Sequence, residues 1–159
     1  MNIDIICVGK IKEKYLVDAI NEYTKRLSKF ANVNILEVKD EKTPDNPSEN
    51  EKNIILKTEG DRIDSFIKKG AFVFGLCIEG KQVESTEFAS KISDIMVNGY
   101  SDIQFIIGGS FGLHEDIKKR VNYKLSFSKM TFPHQLMRLI LLEQVYRAYK
   151  INNHEPYHK

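Results

Sequence analysis

The chain predicts an α/β fold, a mostly parallel sheet with helices on both faces, from three observations. Strand-like and helix-like runs take turns from end to end, giving five βα pairs. That alternation marks crossover units, whose helices pack back over a parallel sheet. The run AFVFGLCI (71–78) is almost continuously apolar, as in a strand buried on both faces. Finally, 159 residues at 18.4 kDa suit one compact domain, 1–159, with enough chain for a substantial core.

Taken in order, IDIICVG (3–9) reads as the first strand, and Leu16, Ala19, Ile20, Tyr23, Leu27 and Phe30 then keep helical spacing. VNILEV (33–38) is a second strand. DEKTPDNPSEN (40–50), with two prolines and many turn formers, is a loop, and too little chain precedes it for a domain boundary. Ile55, Leu56, Ile63, Phe66 and Ile67 mark the next helix, followed by the strand AFVFGLCI. Ser85 or Thr86 could cap a helix bearing Phe88, Ile92, Ile95 and Met96 and ended by Gly99. SDIQFIIGG (101–109) is a strand running into a turn, and HEDIKKRV (114–121) a short helix with acids in its first turn.

The last unit, LSFSKMTFPHQLMRLILLEQVYRAYKI (125–151), begins with a broken alternation. Leu125 and Phe127 are apolar at odd positions, Met130 and Phe132 at even ones. A strand has period two, so the slip means a bulge or the end of the strand. Pro133 suits the first turn of a helix, and the slip sits where strand hands over to helix. Ligands of parallel sheets bind beyond the carboxyl ends of the strands, which selects three junctions: Leu76 to Lys81, Gly108 to His114, and Phe127 to Pro133. In the last helix the polar residues His134, Arg138, Glu143, Arg147 and Lys150 gather on no single face. A second apolar surface is left over for a partner subunit.

Net charge is +2, unevenly placed. Residues 111–159 carry nine Lys or Arg against four Asp or Glu, and all four histidines (114, 134, 154, 158) fall there. Such a basic third suits an anionic ligand such as RNA, although from charge alone a solvated face with no partner is the better reading. No apolar run approaches the roughly 18 residues of a membrane span, and MNIDIICVGK lacks a basic leader. Cys7 and Cys77, each inside an apolar run, read as buried free thiols in a reducing cytoplasm.

Three motifs compete for the chemistry. HEPYH (154–158) satisfies the zinc-protease pattern, but Pro156 lies between two histidines that must share a helical face, so no metal site is expected. GGSFG (108–112) satisfies G-x-S-x-G after a strand and before a helix, the setting of a nucleophile elbow at Ser110. A glycine turn that lets the backbone approach a ligand is the preferred reading. The dinucleotide fingerprint is missed both there and at VGKIKEK.

The opening VGKIKEKY, the turn IIGGSFGLHEDI, the run LSFSKMTFPHQLMRLILLEQVYRAYKI and the ending NHEPYHK, in this order, resemble one family. It is the SPOUT superfamily of methyltransferases, in its branch acting on large-subunit ribosomal RNA, and the likeness covers essentially the whole chain. The resemblance implies methylation of N3 of a pseudouridine in an intersubunit stem-loop of 23S rRNA, in the assembled ribosome, with S-adenosylmethionine as donor. It further implies a cytoplasmic homodimer, without metal or membrane, whose C-terminal half is tied into a trefoil knot. Leu76, Gly108, Phe127, Ser128, Lys129, Met130, Thr131 and Phe132 match the cofactor pocket, and Tyr157, His158 and Lys159 a catalytic tail that closes the partner subunit's site. Some relatives have Pro and Glu where Ser110 and Phe111 stand, and Arg in place of Lys159. No role for a side chain of that turn, nor a bidentate phosphate contact from residue 159, is therefore carried over.

Methyl transfer from a sulfonium is an in-line displacement, so positioning supplies most of the acceleration. An imide proton must also leave the base, and His158 is the candidate acceptor. On this reading the alternation breaks at Ser128 because the main chain there faces a ligand instead of another strand. A serine hydrolase using Ser110 and a non-catalytic RNA-binding module are the competing functions.

Overall fold

In the computed structural model, which describes all 159 residues, the elements follow the predicted alternation. They are β1 (Asn2–Val8), α1 (Lys14–Leu27), β2 (Asn32–Val38), α2 (Glu49–Asp64), β3 (Phe72–Gln82), α3 (Ser85–Val97), β4 (Asp102–Ile107), α4 (Glu115–Arg120), β5 (Tyr123–Ser126) and α5 (His134–Asn152). The sheet order is β2-β1-β4-β3-β5 and every pairing is parallel. Strand periodicity assigns the faces. Ile3, Ile5 and Cys7 of β1 and Ile103, Phe105 and Ile107 of β4 point into the larger core, shared with α1, α3 and α5. Ile6, Val8 and Ile106 point into a smaller one under α2 and α4. Phe74 stacks on Phe105 at 4.7 Å in the larger core, a pair worth about 1 kcal/mol beyond its burial.

Local chemistry sets most boundaries. Ser48 caps α2: its hydroxyl accepts from the Glu51 amide and the Glu51 carboxylate from the Ser48 amide, each at 3.1 Å. This reciprocal box contributes about 1 kcal/mol. The predicted loop therefore ends at Ser48, and α2 stops at Asp64, before Phe66 and Ile67. Glu84, and neither Ser85 nor Thr86, is the N-cap of α3, with the Glu87 carboxylate accepting its amide at 2.9 Å. Pro133 is the N-cap of α5, one position earlier than the first-turn placement.

The largest departure is in β3, which outruns the apolar stretch that predicted it. Leu76 and Lys81 both pair with Leu125, so residues 77–80 arch out of line between them. At Gly80 a β-carbon would lie 2.7 Å from the Lys124 carbonyl carbon, and only glycine lets the arch pass so close to β5. Beyond Ser126 the chain bends beside this arch and enters α5. That helix packs between α1 and α3, fully burying Leu141, Leu142, Val145 and Ala148.

Candidate active site

The carboxyl ends of β3, β4 and β5 enclose a cleft of about 320 Å³. The three junctions selected from the sequence meet in it. Leu76, Gly108, Phe127, Ser128, Met130, Thr131 and Phe132 all line its wall, whereas the exposed Lys129 stays outside it. Strand β5 ends at Ser126, two residues before the slip. The bend that follows is set by two short bonds: Ser126 Oγ donates to the Ser128 carbonyl at 3.1 Å, and Ser128 Oγ accepts from the Met130 amide at 3.0 Å. Residues 128–132 make no hydrogen bond to other backbone groups. Their remaining peptide donors and acceptors are available to a ligand.

The GGSFG turn forms the second wall. The Gly112 amide donates to the Gly109 carbonyl at 3.1 Å and Gly112 has φ +82°. A β-carbon on Gly108 would fall 2.2 Å from the Gly112 carbonyl oxygen, so closure of the turn on itself already requires glycine at 108. Ser110 is exposed and hydrogen-bonds no histidine. Helix α4 starts five residues later, at Glu115, and His114 is occupied as its N-cap, Nδ1 accepting from the Asp116 amide at 3.1 Å. A nucleophile elbow needs its serine at a direct strand-to-helix turn with a histidine in reach, and that arrangement is absent.

The family model described as "Predicted SPOUT methyltransferase" matches residues 1–158. The chain belongs to the SPOUT methyltransferase family. It is similar to the ribosomal RNA large subunit methyltransferase H of Bifidobacterium animalis subsp. lactis (strain AD011), and equally to that of Clostridium novyi (strain NT), at 58% identity over 159 residues and the whole of both chains. The structure of a probable methylase family protein from Haemophilus influenzae Rd KW20 shares the fold, with a TM-score of 0.50 at 11% identity over 96% of this chain and 66% of that one. As a SPOUT methyltransferase the protein uses a methyl donor, and the hydrolase reading of Ser110 falls.

Several residues shaping this cleft were missed in the sequence. Lys118 of α4 pairs with Glu79 and ties the arch to its neighbouring helix. The pairing holds the Glu79 carboxyl below its usual range. Cys77 is half-buried in the cleft wall instead of buried, and loss of hydration raises its thiol pKa. His134 lines both the cleft and a smaller polar pocket beside Glu59, and burial, then the charge of Arg138, pushes its pKa down. A titratable wall at the start of α5 was legible only as a helix N-terminus.

The tail lies elsewhere. The Tyr157 hydroxyl donates to Glu143 Oε1 at 3.1 Å and sits 3.4 Å from the Tyr23 hydroxyl, and its ring meets Tyr146 edge-on at 4.9 Å. Burial and then the Tyr23 contact raise its pKa. Arg147 lies 4.8 Å over the same ring and is 3.1 Å from His158 Nδ1. The anchor is thus at positions 143–147 of α5, while His134, which begins that helix, lines the cleft. None of residues 157–159 lines the cleft.

Proposed function

We propose that this SPOUT methyltransferase acts on large-subunit ribosomal RNA, transferring the methyl group of S-adenosylmethionine to N3 of a pseudouridine in 23S rRNA, in the assembled ribosome. The observation that carries the proposal is the convergence of three strand ends on one cleft, in a chain similar over its full length to enzymes named for that RNA subunit. The donor fits the residues present. A cleft of about 320 Å³ is at the small end of ligand-binding pockets, and Ile107, Phe127 and Met137 offer apolar walls for a purine. Backbone groups at Leu76, Gly108 and the 127–132 bend would hold it. When bound, it supplies an electrophilic methyl group on a sulfonium sulfur.

The protein works as a single-domain homodimer in the cytoplasm. On α5, Leu136 and Ile140 belong to neither core and are only half-buried. They continue at helical spacing into Glu143 and Arg147, while Met130 at the cleft rim is 74% exposed. A second copy seated on this stripe covers the apolar side chains and brings its tail, anchored at the far end of the same stripe, toward the cleft. Tyr157, His158 and Lys159 then serve the other chain's site. The close passage of the 77–80 arch over β5 supports a trefoil knot around the cleft.

The test is methyl transfer from labelled S-adenosylmethionine to ribosomes lacking the modification, with mass mapping of the product RNA. One methyl on one pseudouridine of 23S rRNA is expected, and no incorporation overturns the reading. Mixed dimers, one chain lacking residues 157–159 and the other with its cleft filled by Thr131→Trp, should regain activity once subunit exchange is demonstrated. No recovery rules out the shared site.

A further inference from the structure

The contact between Arg147 and His158 fixes which ring nitrogen of the histidine carries a proton. A guanidinium has only donors, and Arg147 Nη1 lies 3.1 Å from His158 Nδ1. Nδ1 must therefore offer its lone pair. The neutral imidazole then carries its hydrogen on Nε2, the nitrogen on the far side of the ring from the anchor. Arg147 is itself held: its Nε and Nη2 both donate to Glu143 Oε1, at 3.0 and 2.5 Å. Glu143 also accepts from Tyr157, and the guanidinium covers the Tyr157 ring. One carboxylate thus orients both the arginine and the residue preceding the histidine.

We propose that His158 acts as a hydrogen-bond donor through Nε2–H, in place of the proton acceptor expected from the sequence, and that Arg147 is the positioning residue that sets this tautomer. The proposal rests on the reading of the tail as part of the partner chain's methylation site. A pseudouridine N3 lies between two carbonyl groups. When it loses its proton to solvent hydroxide, the negative charge spreads onto those two oxygens. An Nε2–H aimed at either oxygen stabilises the anion, as a donor aimed at developing charge does in general. The deprotonated nitrogen forms the new N–C bond with its lone pair, the C–S bond breaks with its electrons left on sulfur, and His158 ends the cycle with the proton it began with.

Two measurements test this. In full-length protein labelled with 15N-histidine, the nitrogen signals of His158 should show a protonated Nε2 and an unprotonated Nδ1 at a pH where the ring is neutral. A protonated Nδ1 overturns the proposal whatever the activity. In the methyl-transfer assay His158→Gln, whose amide nitrogen takes the place of Nε2, should stay within about tenfold of the unaltered protein, and His158→Ala should lose about a hundredfold or more, the usual cost of one donor to a developing oxyanion. His158→Asn, with its amide at the place of Nδ1, should resemble alanine. Equal loss in the glutamine and alanine variants overturns the donor role. Arg147→Lys, still donor-only, should preserve the nitrogen signals and most activity, whereas Arg147→Gln, whose amide can accept, should mix the two tautomers. Full activity in His158→Ala would overturn the tail reading and the donor role together. The nitrogen signals judge the tautomer independently of either.

Discussion

The carboxyl ends of β1 and β2 and those of β3, β4 and β5 lie along one edge of the same parallel sheet, and they are finished in opposite ways. At β1 and β2, side chains close the edge. Arg138 enters from α5, 2% exposed, and donates to Glu37 at 2.7 Å and to the Gly9 carbonyl at 3.2 Å. Glu59, 6% exposed, accepts from the Glu41 amide at 3.0 Å and holds the start of the loop after β2. At β3, β4 and β5 the side chains draw back: glycines stand at 80, 108, 109 and 112, the bend at 128–132 leaves peptide groups unpaired, and a cleft opens. A sheet edge offers strand-end peptide groups everywhere, and what opens part of it into a cleft is the removal of side chains that would satisfy or cover them.

Exchanging the two treatments should break the contrast, most severely at Gly80. Gly80→Val drives a side chain into the Lys124 and Leu125 backbone, and we expect a loss of about 3 kcal/mol or more, together with S-adenosylmethionine binding, read by denaturant unfolding and calorimetry. Arg138→Ala opens the closed end. Glu37 is itself 36% exposed and can return to water, so the expected cost is about 2 to 3 kcal/mol, below that of a wholly buried pair. Cofactor affinity should stay within about threefold, because Arg138 itself does not line the cleft.

The smallest effect is expected at Glu59 and sharpens the comparison by pH. Its carboxyl pKa is raised from the ordinary 4.5, chiefly by burial. Below that value the group is neutral in both folded and unfolded chains. As pH rises past it the unfolded chain ionises first, so stability falls until the folded carboxyl ionises too. Glu59→Gln should remove that slope and leave the protein slightly more stable at neutral pH, measurable as melting temperature between pH 4 and 8. A variant with the same pH dependence as the parent would show that the carboxylate is better hydrated than its burial implies.

The fold was legible wherever one element reports its own environment. β1, β2 and β4 showed their apolar runs, α1 and α3 their helical spacing, and the phase slip after Phe127 lies within two residues of the true end of β5. The cleft followed, because the position of a site in a parallel sheet depends on where strands end. What escaped were features made by two distant segments. Gly80 is intelligible only beside Lys124 and Leu125, and β3 was read too short because the polar Lys81 and Gln82 pair with β5 beyond a backbone arch. Gly108 was assigned to ligand approach, and the structure gives it a nearer reason in the Gly112 carbonyl. The slot for Tyr157 is assembled from Tyr23, Glu143, Tyr146 and Arg147, and no local pattern joins residue 23 to residue 157.

The sheet order also dictates when the protein can fold during its own synthesis. β1 is made first and gains β2 early, but its other neighbour is β4, from Asp102 onward. Four fully buried residues of the larger core, Leu141, Leu142, Val145 and Ala148, are made later still. While those residues remain in the exit tunnel of a translating ribosome, the emerged chain leaves uncovered the gap between α1 and α3 that α5 fills. Chains usually settle domain by domain as they emerge, and here only the smaller core, whose residues end at Ile117, can close earlier. Burial of the larger core therefore waits until α5 has left the tunnel, and until then the nascent chain presents apolar strands to whatever chaperones attend the ribosome.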